Sequence, residues 1–73
     1  MKTWYLSITQ PAPSMQQDVR EIRVNSYADA VDQCYRAWRE TRRNVTLHDN
    51  KDCVYYWHRI ARDGERFERN TRA

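Results

Sequence analysis

The chain has one glycine, two prolines and two cysteines in 73 residues. With Gly64 alone, the glycine-rich loops that cradle phosphates are excluded, because they need several positions free of a Cβ. So few glycines and prolines also leave little room for irregular loops. Cys34 and Cys53 are too few for a disulfide framework, and a packed thiol is the expectation for Cys34, with a Cys34–Cys53 bridge as the alternative. There is no apolar run long enough to span a bilayer and no signal-peptide pattern, so a cytoplasmic protein without membrane contact is expected. His48, His58, Cys34 and Cys53 lack paired zinc-ligand spacing, so no metal is expected. Ser7, Ser14 and Ser26 carry no nucleophile signature around them. Neither an enzyme nor a cofactor-bearing protein is expected.

What is present is aromatic and basic. Hydrophobic residues make up 40% of the sequence, enough for a thin two-layer core in a single domain over residues 1–73. Domains of this size bury only about 60% of their unfolded surface, so an enclosed active site would consume core that is needed for stability. Thirteen basic residues stand against ten acidic ones for a net charge of +3, and since Lys2 and Lys51 are the only lysines, eleven of the thirteen are arginine. Arginine offers a planar fork that grips carboxylate or phosphate and stacks on rings, which favours a contact surface. The interspersed acids keep the net charge mild, which admits nucleic acid as a partner without requiring it.

Periodicity divides the chain into six elements. Residues 3–9 alternate, with Trp4, Leu6 and Ile8 on one side and Tyr5, Ser7 and Thr9 on the other, the pattern of a half-buried strand. Pro11 and Pro13 end it, a polar loop covers 10–18, and 19–24 form a second strand with Ile22 and Val24 inward. Ser26-Tyr27-Ala28-Asp29 resembles a capping box. A helix follows to about Thr41, with Tyr27, Ala30, Val31, Cys34, Ala37, Trp38 and Thr41 in one stripe. Trp38 is the expected core anchor, and Arg36, Arg39 and Arg43 form a basic stripe outside. Val45 and Leu47 alternate in a third strand, and Asp49-Asn50-Lys51-Asp52 is a turn signal. A fourth strand spans 53–61 and a fifth 65–70, with Asn70–Ala73 expected to fray. The order ββαβββ implies an α+β two-layer sandwich: a mainly antiparallel five-stranded sheet with one helix packed on one face.

One helix covers one face, so the other must meet solvent or a partner. Asp63-Gly64 as a two-residue hairpin loop pairs Ile60 with Phe67 and Arg59 with Glu68, an apolar and an opposite-charge pair. That register places Val54, Tyr56, His58, Ile60 and Phe67 inward. Cys53, Tyr55, Trp57, Arg59, Arg66 and Glu68 fall on the open face, and a slip of one residue exchanges the two sets. The candidate partner-binding residues are therefore Tyr5, Tyr55, Trp57, Arg59 and Arg66 on the sheet, with Arg36 and Arg43 on the helix as a second patch. Aromatic rings on a sheet also suit base stacking, although the aromatic-glycine signature of the RNA-recognition fold is absent.

Three stretches carry a family resemblance: the short strand Trp4-Tyr5-Leu6-Ser7-Ile8, the strand Arg23-Val24-Asn25-Ser26 entering a helix through Ala28-Asp29-Ala30, and the hairpin Tyr55-Tyr56-Trp57 … Asp63-Gly64-Glu65-Arg66-Phe67. In this pattern the chain resembles small phage-encoded anti-CRISPR proteins, especially a type I-F inhibitor of similar length. Its first loop is shorter and its surface richer in arginine than lysine, so no site residue is carried over. The resemblance implies a stoichiometric inhibitor that docks on a subunit of an RNA-guided surveillance complex in the bacterial host cytoplasm and stops target DNA from pairing with the guide. Docking in a basic channel would use Asp29, Asp32, Asp49 and Asp52; contact with exposed RNA or DNA would use the arginines. A nucleic-acid-binding or regulatory protein, and a homodimer paired through its open sheet, are the alternative readings.

Overall fold

The computed structural model describes residues 1–69. Its elements are β1 (Lys2–Thr9), β2 (Gln17–Val24), α1 (Tyr27–Thr41), β3 (Val45–His48), β4 (Tyr56–Ile60) and β5 (Arg66–Glu68). They build a five-stranded sheet in the order β2-β1-β3-β4-β5, with every neighbouring pair antiparallel. This is the expected α+β sandwich. Because β2 and β3 both run antiparallel to β1, they run parallel to each other with β1 between them. Parallel strands cannot be joined by a tight turn, so α1 makes the crossover and lies on the sheet.

Cross-strand partners share a face, and the register shows which residues line the core. Leu6 pairs with Leu47 and Ile8 with Val45; Val45 then pairs with Ile60 and Leu47 with His58. Trp4, Leu6, Ile8, Val45, Leu47 and Ile60 are buried against Ala30, Cys34 and Ala37 of α1. Each large aliphatic removed from water contributes about 1.5–3 kcal/mol. The three helix residues at the seam are small, which lets α1 approach the sheet closely.

Ser26 caps α1 as its sequence suggests, its hydroxyl accepting the Asp29 N–H at 3.2 Å. The helix ends where Arg42 turns left-handed (φ 55) and donates its N–H to the Trp38 carbonyl at 2.6 Å. Trp38 is not the central anchor that its place in the stripe suggests. It is half-buried at the margin, and its Nε1 donates to the Arg62 carbonyl at 3.2 Å. It thereby clamps the β4–β5 hairpin to the helix.

Two local departures change the sheet's faces. The hairpin loop has three residues, Arg62-Asp63-Gly64, closed by Gly64 N–H to the Ala61 carbonyl and Ala61 N–H to the Glu65 carbonyl. Gly64 takes φ +95, so this is a turn ending in a positive-φ glycine and not the expected two-residue loop. The register moves by one: Ile60 faces Arg66, Arg59 faces Phe67 and His58 faces Glu68. The second departure is a bulge between β3 and β4. Leu47 pairs with His58 but His48 pairs with Tyr56, so Trp57 is an extra residue that breaks the alternation.

Strand limits shift accordingly. β2 begins at Gln17, inside the expected loop, and β4 begins at Tyr56, because residues 49–55 form a longer turn. In that turn Cys53 is left-handed (φ 56), and Asn50 accepts from the Cys53 N–H through its carbonyl and from the Val54 N–H through its side chain. β5 ends at Glu68, and the expected frayed tail Asn70–Ala73 lies outside the described residues.

Candidate interaction face

The sheet face away from α1 is built in rows. One row runs Glu21, Tyr5, His48, Tyr56 and the next Val19, Ser7, Thr46, Arg59, Phe67. Val19 and Phe67 are exposed at the two sides, while Tyr5, Tyr56 and Arg59 are half-buried between them. Ser7 is buried and donates to Gln17 Oε1 at 2.5 Å, which fixes β2 against β1.

His48 is buried in this face, 3.0 Å from the Tyr55 carbonyl through Nδ1. A carbonyl only accepts, so the proton sits on Nδ1 and the ring is neutral when Nε2 is bare. Burial holds its pKa below the ordinary histidine value, against the opposing pull of that carbonyl and of Asp49. Arg59 lies between Thr46 and Phe67 with its Nε buried and unpartnered, and it has no ion pair among the described residues. A guanidinium in that state is available to a carboxylate or a carbonyl from outside.

The predicted residues separate into several places. Tyr5 and Arg59 occupy the open face, and Tyr55 is exposed in the turn leading to β4. Trp57 does not belong to the open face. The bulge turns its ring to the helix side, with centroids 6.3 Å from those of both Trp4 and Tyr27, and its carbonyl accepts the Tyr27 hydroxyl at 3.1 Å. Arg66 is likewise on the helix side, where Nη1 donates to the Tyr35 hydroxyl at 3.0 Å, a consequence of the shifted hairpin. Arg36 is on the outer helix surface, paired with Asp32 at 3.1 Å. Arg43 follows the helix, at the opposite end of the sandwich from Trp57, and donates to Gln10 Oε1 at 2.9 Å. Arg36 and Arg43 thus have separate partners, and no contact between them joins the second patch among the described residues.

Phe67 and Tyr56, expected inward, take the places of Trp57 and Arg66 on the open face. Val54, also expected inward, is exposed before β4 begins, and Cys53 sits in the turn and not on a strand. Glu68 leaves the open face and sits 3.7 Å from His58 Nδ1. His58 is fully buried beside Tyr35, and desolvation lowers its pKa, with Glu68 opposing and Arg66 adding to the shift. Both cysteines are free thiols, and burial pushes the Cys34 pKa up to about 12. Among the described residues no His, Cys, Asp or Glu cluster is arranged to hold a metal ion, and no helix is long and apolar enough to cross a membrane.

Compared with known proteins, the chain matches no family model, no curated protein and no solved structure.

Proposed function

We propose that this protein is a small, non-enzymatic inhibitor of the phage anti-CRISPR type. It docks through its open sheet face on a protein subunit of an RNA-guided surveillance complex and blocks recognition of target DNA in the host cytoplasm. The observation that carries this reading is the sheet face that no described element covers, where Tyr5, Tyr56 and Phe67 share a surface with Arg59, which has no ion pair among the described residues. Aromatic anchors around an arginine fork are the composition of binding hot spots. The face is only mildly basic: Arg23 pairs with Glu21 at 3.7 Å, which leaves Arg59 and Arg69, whose guanidinium lies 5.8 Å from the Tyr56 ring centroid, as its cations without an ion pair among the described residues. That balance favours a protein surface over a nucleic-acid backbone at this face. The sequence pattern shared with type I-F inhibitors supplies the class of partner.

The test is co-elution with a purified type I-F surveillance complex, followed by a target-DNA binding assay. Wild type is expected to co-elute and suppress DNA binding. Truncation of a central anchor costs about 2 kcal/mol or more, roughly thirtyfold in affinity, so Phe67→Ala with Arg59→Ala is expected to abolish inhibition at equimolar ratio. A complex that binds target DNA equally well with saturating wild-type protein removes this reading. Sizing at micromolar concentration distinguishes it from a self-paired homodimer.

A further inference from the structure

A second group of positive charges without an ion pair among the described residues lies elsewhere. Arg20, Arg23 and Arg36 each have a carboxylate within 4.0 Å, but Arg42, Arg43 and Arg62 have none among the described residues. These three line one groove of about 560 Å³ at the end of the sandwich where β1, α1 and β4 finish. Asp63 is the only carboxylate on its walls among the described residues. That volume is far larger than one small anion fills.

Two of the guanidinium groups, and the backbone of the third arginine, are held in place by neutral partners. Arg42 stacks over Trp38 at 4.3 Å from the ring centroid. Arg43 is tethered to Gln10 Oε1 at 2.9 Å. The Arg62 backbone is fixed on both sides, its N–H donating to Asn44 Oδ1 at 2.7 Å and its carbonyl accepting from Trp38 Nε1 at 3.2 Å. Such arginines need little reordering to meet an anion. The facing wall is apolar, made of Pro11, Ala12 and Met15, and Met15 is 59% exposed.

We infer that this groove binds the sugar-phosphate backbone of a single-stranded nucleic acid, with Arg42, Arg43 and Arg62 on successive phosphates. Guanidinium forks match phosphate oxygens. The apolar Pro11, Ala12 and Met15 give the faces of unpaired bases a surface to cover, which the stacked bases of a duplex do not present. The site is separate from the sheet face and does not depend on the inhibitor reading.

The experiment is fluorescence anisotropy of a labelled oligothymidylate with the intact protein. Three phosphate contacts at about 0.7 log units each predict a fall of about twentyfold in affinity between 50 and 200 mM salt. Arg43→Gln with Arg62→Gln, at an unchanged thermal midpoint, is expected to weaken binding at least tenfold and flatten the salt slope by about 1.4. Arg62→Lys, which keeps the charge, is expected to retain binding to within a few-fold. Arg59→Gln with Phe67→Ala on the sheet is expected to leave it unchanged. The inference is overturned by no binding at 50 mM salt, by full affinity in the Arg43/Arg62 variant, by loss in the sheet variant, or by polyglutamate or duplex DNA competing as well as the oligothymidylate. Failure in the surveillance-complex assay would leave this result standing, and the reverse also holds.

Discussion

At Gly64 the chain takes φ +95, and an added Cβ would sit 3.3 Å from the Trp38 ring. Gly64→Ala therefore combines backbone strain with crowding, and is expected to destabilise by about 1–2 kcal/mol, read as a lower urea midpoint. The two cysteines should behave differently. The thiolate is the reactive form, and Cys34 is both buried and shifted to about 12, whereas Cys53 is part-exposed in a turn. A thiol reagent at pH 8 is expected to modify Cys53 first, with Cys34 reacting only at the rate of unfolding. His48 and His58 set the pH dependence. Burial depresses both below the ordinary 6.5, so the unfolded chain takes up protons that the folded chain refuses. The stability this provides is present above the unfolded pKa and is lost as pH falls through 6.5 towards the depressed folded values. The slope is at most about 1.4 kcal/mol per pH unit for each ring. Urea midpoints at pH 7.5 and 5.5 should show the loss, and His58→Leu should reduce the slope.

At the level of elements, what the sequence reveals depends on how local the deciding interaction is. Ser26 caps α1 through the Asp29 N–H three residues on, and the alternation in β1 needs only its neighbours, so both are legible directly. The β4–β5 register is not. Asp63-Gly64 is compatible with a two- or a three-residue loop, and the choice rests on contacts far along the chain: Trp38 against Gly64, Tyr35 with Arg66 and His58 with Glu68. The bulge at Trp57 is similarly hidden, since its partners Trp4 and Tyr27 are distant in sequence. These two departures exchange the roles of Trp57 and Phe67 and so decide half of the candidate site. Trp57→Ala should therefore act on stability, lowering the thermal midpoint by an amount equivalent to about 2 kcal/mol or more. Phe67→Ala should leave the midpoint nearly unchanged and act on binding.

At the scale of the whole molecule, the sheet has two unequal edges. β5 is short, but β2 is an eight-residue edge whose Asp18, Arg20, Glu21 and Arg23 form the pairs Arg20–Asp18 and Arg23–Glu21. Charges on an edge strand discourage pairing with another sheet. Replacing Glu21 and Arg23 together by threonine should raise self-association, seen as an earlier peak in size exclusion at micromolar concentration. The inner position of β1 has an effect on biogenesis. β1 leaves the ribosome before both of its neighbours, and the edge that pairs with β3 stays open after β2 has been made, until Val45–His48 has been translated. Early in synthesis the nascent chain thus presents the unpaired backbone edge of Tyr5–Ile8, a span in which a holding chaperone would have most to shield.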